Sequence, residues 1–163
     1  MISLNNIIKE EIEKFVGEND NFWKWFGNSK VVNSDGSPMI VYHGTNAEFD
    51  SFKPNKDIVG TGMFFTSIRN YATNYPRKTS NGGSKIMEVY LKIEHPISED
   101  EFFSIGNNGE ERTTESIRLG YDGLITNDPS GGYVFLVFSP NQIKSATGNN
   151  DGTWDINDKN IYS

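Results

Sequence analysis

The stretch VVNSDGSPMIVYHGT, residues 31–45, decides how the fold of this chain is interpreted. Two apolar runs, Val31-Val32 and Met39 to Tyr42, flank a segment of turn-forming residues. Apolar runs around an Asp-Gly pair are typical of a β-hairpin, which places Asp35-Gly36 at the bend. The pattern therefore predicts that His43 lies at the exit of a strand.

The chain before this hairpin is predicted to be helical. Apolar residues recur there every three or four positions, which places them on one face of a helix. These residues are Leu4, Ile8, Ile12 and Phe15. The aromatic run NFWKWFG, residues 21–27, predicts a second short helix that a glycine ends. Residues 1–27 are therefore interpreted as an N-terminal helical buttress.

Short strands dominate the chain after the hairpin. Alternation with a period of two, or short apolar runs, predicts four of them. They cover Met63–Thr66, Lys85–Ile93, 121–126 and 133–138. Short helices are predicted after Ser67, as N-cap, and over roughly Thr113 to Leu119. Helices followed by strands with few intervening helices indicate an α+β fold rather than a doubly wound array.

Length and composition indicate one domain. The chain has 163 residues, of which 35% are hydrophobic and 13% aromatic, enough to build a single core. We divide it into the buttress, a core over residues 28–147 and a surface tail over residues 148–163. No basic segment precedes an apolar run, and no stretch approaches roughly 20 apolar residues. We therefore expect a cytoplasmic protein with no membrane partner.

The charge balance and the absent residue types argue against several functions. Lys plus Arg total 15 against 22 for Asp plus Glu, a net charge of -7 that disfavours nonspecific nucleic-acid binding. The chain has no cysteine, which excludes thiolate nucleophiles and cysteine-ligated zinc. It has two histidines and no metal-binding spacing, so we expect no metal. It also has no P-loop, dinucleotide fingerprint or nucleophile elbow.

The triplet His43-Gly44-Thr45 is the first candidate site. A histidine, a glycine and a hydroxyl at a strand end offer hydrogen-bonding groups beside a bare backbone that a flat ligand can approach closely. A histidine at a strand end is nevertheless more often structural than functional. The triplet alone therefore does not establish a function.

Six segments share the order and spacing of a known family. They are YHGT at 42–45, F-x-x-F at 49–52, GTGMFFTSIRNYATNY at 60–75, VYLKIEHPI at 89–97, YDGLI at 121–125 and VFSPNQIKSATGNNDGTWD at 137–155. Together they resemble the ADP-ribosyltransferase domains of phage and mobile-element polyvalent proteins, which are similar to the diphtheria-toxin and poly-ADP-ribose polymerase class. The resemblance implies two small, packed, mostly antiparallel sheets with an NAD cleft between them and the N-terminal helices along one side.

The resemblance also implies how the first motif binds NAD. His43 matches the histidine that hydrogen-bonds a ribose of NAD. Gly44 matches the glycine whose backbone meets the nicotinamide carboxamide, and Thr45 matches the adjoining hydroxyl. All three are therefore candidate NAD-binding residues, and His43 is also a candidate catalytic residue.

The second motif supplies the remaining candidates for binding NAD. Phe64 stands where the class usually has a tyrosine, within a segment that also contributes Gly62 and Phe65. Tyr75 matches the ring that stacks on the nicotinamide, and Ala72 matches the small residue that lets its helix approach. A flat pyridinium favours such aromatic faces.

The third motif departs from the family pattern, because Val134 stands where the catalytic glutamate is expected. That carboxylate stabilises the oxocarbenium-like charge that develops as nicotinamide leaves, a role that an alkyl group cannot fill. We take Asp128, in the preceding turn, as the substitute catalytic residue beside His43 and Tyr75. Other interpretations stay open, including a shifted register on this strand. The alternative carboxylates are Asp122, Glu110, Glu111 and Glu115.

The implied reaction is NAD-dependent mono-ADP-ribosylation of a macromolecule. The mobile-element resemblance favours a toxin or effector with a host protein as acceptor, and nucleic acid is the less favoured partner. Loops at residues 53–60 and 98–116 are expected to bind the acceptor. Val134 keeps two alternatives open: an inactive or weak NAD- or ADP-ribose-binding module, and an NAD glycohydrolase.

Overall fold

The computed structural model describes residues 3–8, 20–73, 85–148 and 152–163. Residues 4–8 are helical, and short helices and strands alternate through the rest. The helices are α1 (Asp20–Phe26), α2 (Arg69–Ala72), α3 (Glu99–Ser104) and α4 (Gly109–Arg118), with a 3-10 turn at Pro140–Gln142. The strands are β1 (Val41–Thr45), β2 (Asn55–Lys56), β3 (Thr61–Thr66), β4 (Lys85–Leu91), β5 (Pro96–Ile97), β6 (Gly123–Asn127), β7 (Tyr133–Val137) and β8 (Ile143–Ser145). The predicted α+β class is confirmed.

The strands form one curled sheet in the order β5-β6-β7-β3-β1-β4-β8, with β2 added to β3. Neighbouring strands are antiparallel, except that β5 and β6 are parallel. β1 and β3 share only the pair Tyr42 with Thr66, whereas each pairs at length with its other neighbour. The two sheets that the resemblance implies are therefore two parts of one continuous sheet, β5-β6-β7-β3 and β1-β4-β8, which are joined by a single residue pair.

The segment at residues 31–45 forms the predicted turn but a shorter strand. Val32 and Pro38 form an isolated β-bridge, and Gly36 at the bend has φ +87°, a conformation that favours glycine. Regular structure begins only at Val41. The reason is that β1 takes the distant strand β4 as its partner along its whole length instead of residues 31–32.

The helix predicted after Ser67 is shorter than expected, and Ser67 does not cap it. Ile68 occupies the N-cap position and makes no side-chain cap. The Ser67 hydroxyl instead accepts a hydrogen bond from the Tyr133 N–H at 2.8 Å. It therefore ties the end of β3 to β7, which is a tertiary contact that local sequence does not reveal.

Two capped helices cover the region between β5 and β6. Ser98 accepts a hydrogen bond from the Glu101 N–H at the start of α3, and Asn108 accepts one from the Glu111 N–H at the start of α4. Such N-caps typically stabilise a helix by about 1 kcal/mol. The helix predicted over Thr113 to Leu119 is thus confirmed in kind and extended at its start.

The tail, predicted to lie on the surface, contributes to the interior. Trp154 is 7% exposed, and its ring centroid lies 4.8 Å from that of Phe22 in α1. Ile161 is 1% exposed and packs in the main core with Val41 and Val89. Apolar burial therefore anchors residues 152–163 at two points. Among the described residues, no helix has both the length and the apolar character needed to cross a bilayer.

Candidate active site

A cleft of about 1060 Å³ is lined by β1, β3, β6, β7, α2, α3 and the segment between β1 and β3 that includes β2. Its volume is at the upper end of the range for small-molecule sites. Every predicted site residue that the structure describes lines this cleft. These residues are His43, Gly44, Thr45, Gly62, Phe64, Phe65, Ala72 and Asp128. Tyr75 lies outside the described residues.

His43 is held in one orientation by a hydrogen bond and by aromatic rings. Its Nδ1 lies 2.8 Å from the Phe64 carbonyl oxygen, and its ring centroid lies 5.0 Å from that of Phe52 and 5.4 Å from that of Phe65. A carbonyl oxygen can only accept, so Nδ1 carries the proton. Burial lowers the pKa of His43 below its usual value, opposed by the bond to Phe64. The ring is therefore neutral at pH 7, and its Nε2 can accept a hydrogen bond from a ligand hydroxyl.

Gly44 and Thr45 lie where β1 separates from β3. β1 pairs with β4 as far as Thr45, but its only partner position on β3 is Tyr42. In the described part of the chain, no strand covers the other edge of β1 beyond that position. The Thr45 hydroxyl accepts a hydrogen bond from the Ala47 N–H, which leaves its own proton available for donation. The strand end thus offers backbone and hydroxyl groups to a ligand.

The two phenylalanines of β3 have different surroundings. Phe65 is 3% exposed and contacts the His43 ring, so it supports that histidine from the core. Phe64 is half-buried and packs beside Leu124 and Leu136 on the other face. Of the two rings, Phe64 therefore has more surface available to a ligand.

Small residues let the walls of the cleft pack closely. A Cβ on Gly62 would lie 2.3 Å from the Val137 carbonyl oxygen, so β3 accepts only glycine there against β7. Ala72 is 1% exposed in α2, which contacts both β1 and β3. The small size predicted to matter at Ala72 thus corresponds to a tightly packed helix.

Val134 is the middle member of a row of three cleft-lining residues. It pairs with Thr66 on β3 and with Thr126 on β6, and directly opposite residues in a sheet point to the same face. The Thr66 hydroxyl accepts a hydrogen bond from the Ile68 N–H. The Thr126 hydroxyl is buried and has no hydrogen-bond partner among the described residues. An alkyl group between two hydroxyls thus occupies the place where the resemblance expects a carboxylate.

Asp128 lies at the rim of the cleft, one step beyond this row. Its N–H donates to the Gly132 carbonyl at 2.9 Å, which continues the pairing of β6 with β7. Its carboxylate accepts a hydrogen bond from the Ser130 N–H at 2.7 Å. The backbone of Asp128 is diagonally opposite position 134 across this pair, a relation with a typical Cα separation of about 7–8 Å.

The alternative carboxylates do not line the cleft and have partners of their own. Asp122 accepts hydrogen bonds from the Glu94 and His95 N–H groups, both at 2.8 Å, and so holds the end of β4 near β6. The three glutamates of α4 bind elsewhere as well. Glu110 pairs with Lys56, Glu111 accepts from the Asn107 N–H and Glu115 pairs with Arg118. Tyr133, the nearest polar side chain if the alignment with the family strand is shifted, pairs with Asn127, whereas Val134 pairs with Thr126.

Three charged residues of the cleft were missed by the sequence reasoning. Lys53, Asp57 and Glu99 line it beside Asp128. Asp57 also accepts a hydrogen bond from the Val59 N–H at 2.9 Å. They lie in irregular or helix-start positions without a local motif. The signals in the sequence that could have indicated them are the position of Lys53 directly after the F-x-x-F pair and the location of all three in the predicted acceptor loops.

An α+β fold that carries an H-G-T strand end in a large cleft defines the ADP-ribosyltransferase class that the motifs indicate. The chain matches the family model described as ADP-Ribosyltransferase in polyvalent proteins over residues 33–153, and it belongs to this family. The match includes every strand of the sheet and every residue that lines the cleft. No curated protein and no solved structure matches the chain. The predicted family and its NAD substrate are thereby confirmed at the level of the family.

Proposed function

We propose that this protein is a mono-ADP-ribosyltransferase that transfers ADP-ribose from NAD to a macromolecular acceptor. The observation that carries the proposal is the state of His43 in the cleft. Its Nδ1–H is engaged by the Phe64 carbonyl, and burial keeps the ring neutral, so Nε2 is a fixed acceptor. A ribose hydroxyl is the donor that such a nitrogen suits.

The strand end next to His43 supports binding of the nicotinamide half. A carboxamide carries one acceptor and two donors, and the open edge of β1 at Gly44 offers backbone groups of both kinds. Thr45 adds a hydroxyl, and Phe64 adds an aromatic face. We retain the predicted roles of Tyr75 as the ring that stacks on the nicotinamide and of Ala72 as the small residue of the approaching helix.

The reaction breaks the bond between the nicotinamide nitrogen and C1′ of its ribose. The electron pair leaves with nicotinamide, and the acceptor nucleophile forms a new bond to C1′ and loses its proton. Positive charge develops on the ribose before the new bond is complete. Asp128 is the proposed carboxylate that stabilises this charge from the rim, since Val134 cannot do so. Orientation within the cleft supplies the rest of the rate enhancement.

The proposed acceptor is a host protein. The net charge of -7 and the carboxylates Asp57, Glu99 and Asp128 at the cleft disfavour a polyanionic nucleic acid. The resemblance to domains of mobile elements favours an effector that acts on the host.

Val134 favours a second candidate, a module that binds NAD or ADP-ribose without turnover. Loss of one preorganised charge-stabilising group commonly lowers a rate by two to three orders of magnitude. Hydrolysis of NAD is a third outcome and differs only in that water attacks C1′. The products separate the three: labelled macromolecule, free ADP-ribose, or unchanged NAD.

The test is incubation of purified protein with NAD labelled in its adenylate half in a bacterial lysate, with nicotinamide release and labelled macromolecules measured together. Asp128→Asn should lower transfer by at least about tenfold and leave NAD affinity within about twofold. His43→Ala should abolish NAD binding as well. Asp20→Asn, at an exposed carboxylate of α1 outside the cleft and outside both predicted acceptor loops, is the matched control and should behave as wild type.

Equal transfer by wild type and Asp128→Asn would contradict the role of Asp128. No NAD consumption by folded wild-type protein that still binds NAD would contradict the transferase proposal and leave the binding module.

A further inference from the structure

Lys53 is the single lysine or arginine among the described residues that line the cleft. Three carboxylates line the same cleft: Asp57, Glu99 and Asp128. Lys53 follows the Phe52 ring that packs on His43, and its own side chain is exposed. Within the described ranges, it forms no ion pair with an acidic side chain.

A site for NAD has to accommodate two negative phosphates. The chain has a net charge of -7, and the three carboxylates of the cleft would repel a diphosphate. Lysine is a common phosphate ligand because its ammonium is a mobile point charge with three donors. A cation within the cleft is therefore the feature that this ligand requires.

The position of Lys53 relative to His43 agrees with the covalent order of NAD. Each ribose of NAD is bonded to the diphosphate, so a ribose held by His43 places a phosphate one bond beyond the sugar. The ring of Phe52 lies 5.0 Å from that of His43, and Lys53 is the next residue along the chain. Asn55 lines the same cleft and adds a neutral donor.

The neighbouring Lys56 has a different environment. It lies three residues further on in β2, pairs with Glu110 at 3.6 Å and does not line the cleft. Both lysines are exposed and carry the same charge, so they differ only in whether they line the cleft. Comparing substitutions of the two therefore distinguishes a contact of Lys53 with a ligand from a general effect of net charge.

We propose that Lys53 binds the diphosphate of NAD and sets the affinity of the cleft for phosphorylated ligands. This inference rests on the proposed function. It assigns Lys53, at the start of the loop at residues 53–60 that the sequence predicts as part of the acceptor surface, a role in holding the donor substrate. The acceptor would then approach from the remaining sides of the cleft.

The test compares Lys53→Met with Lys56→Met by calorimetric titration with NAD and with nicotinamide riboside, which has no phosphate. Lys53→Met should weaken NAD binding by about three- to tenfold at low salt and leave nicotinamide riboside binding unchanged. The difference from wild type should shrink in about 0.5 M NaCl, where the screening length is roughly 4 Å. Lys56→Met should bind both ligands as wild type does, and both variants should keep the wild-type melting temperature.

Three results would overturn the inference: equal NAD affinity of Lys53→Met and wild type, an equal loss of affinity for both ligands, or an equal loss in Lys56→Met. Wild-type protein that binds neither ligand would instead contradict the proposed function.

Discussion

The valine at position 134 stands between the threonines at positions 66 and 126, on the face of the sheet that lines the cleft. The first motif is intact in the same cleft: it supplies a neutral histidine, an open strand edge and a free hydroxyl proton. Position 134 lines the cleft but carries no negative charge. Replacing Val134 by glutamate is therefore expected to have a predictable effect.

Val134→Glu should raise the rate of nicotinamide release by at least about tenfold, because it restores a carboxylate where positive charge develops on the ribose. The buried Thr126 hydroxyl, unpartnered within the described residues, can donate to the new side chain and lower the cost of introducing it. The measurement is the initial rate of nicotinamide release at saturating NAD.

Tyr133→Glu is the control for this gain. Tyr133 is 43% exposed and points to the opposite face of β7. A glutamate at this position therefore adds the same charge one residue away without lining the cleft. A similar gain in both variants would show that the charge acts from anywhere near the strand, and no gain in Val134→Glu would contradict the role assigned to position 134.

At the scale of elements, α4 holds the loop at residues 57–60 against the cleft. The Arg112 guanidinium donates to the Ile58 carbonyl at 3.0 Å, and the Thr113 hydroxyl accepts from the Thr61 N–H at 2.9 Å. A Cβ on Gly109 would lie 2.1 Å from the Asp57 carbonyl oxygen. The loop that carries Asp57 and Val59 into the cleft is therefore pinned by direct backbone packing.

Gly109→Ala tests this packing, because helix propensity and tertiary contact act in opposite directions. Alanine in place of glycine favours an isolated helix by about 1 kcal/mol. The clash with the backbone of Asp57 should outweigh this gain and lower stability by about 1–3 kcal/mol. Thermal or urea unfolding measures the change, and NAD affinity should fall as the loop moves.

Gly148→Ala is the matched control, since a Cβ there meets no atom of the described residues within 4 Å. It should leave stability within about 0.5 kcal/mol of wild type. A Gly109→Ala variant at least as stable as wild type would show that the loop yields easily and is not fixed by α4.

At the scale of the whole molecule, Lys144 joins the tail to the sheet. Its side chain is 0% exposed, and its ammonium donates to the carbonyls of Asp158 at 2.9 Å and Asn160 at 3.0 Å. Beside it, the Ser145 N–H donates to the Ile161 carbonyl. These contacts support the proposal that the chain folds as one unit with its tail.

Lys144→Met keeps the length of the side chain but leaves the partly buried carbonyls of Asp158 and Asn160 without this donor. Hydrogen bonds from a charged group contribute about 1.5–3 kcal/mol each, so we expect a loss of about 3 kcal/mol. For a chain of this size, that lowers the melting temperature by several degrees. Tryptophan fluorescence and far-ultraviolet circular dichroism should give the same, single transition.

Lys159→Met removes an exposed lysine of the same turn and should change stability by less than about 0.5 kcal/mol. An early separate transition of tryptophan fluorescence in Lys144→Met would show that the tail unfolds independently, and would contradict the single-domain proposal.

The family motif and the main strands could be predicted because both are local. Alternating apolar residues predict β3, β4 and β7, and the H-G-T triplet with its neighbouring segments indicates the NAD cleft. Burial of Lys144 could not be predicted, since it depends on what the tail meets after folding. The same is true of Ser67, which caps no helix and binds β7 instead.

The sequence by itself determined the class of fold, the family and eight of the residues that line the cleft, because a strand pattern and a motif are written in consecutive residues. The tertiary structure alone decided which charges share that cleft. Asp122 accepts backbone hydrogen bonds, and Glu110 and Glu115 of α4 form ion pairs outside the cleft. Lys53, Asp57 and Glu99, in contrast, line the cleft together with Asp128. The physical reason is that charges interact through space, and pairing between distant strands sets the distances.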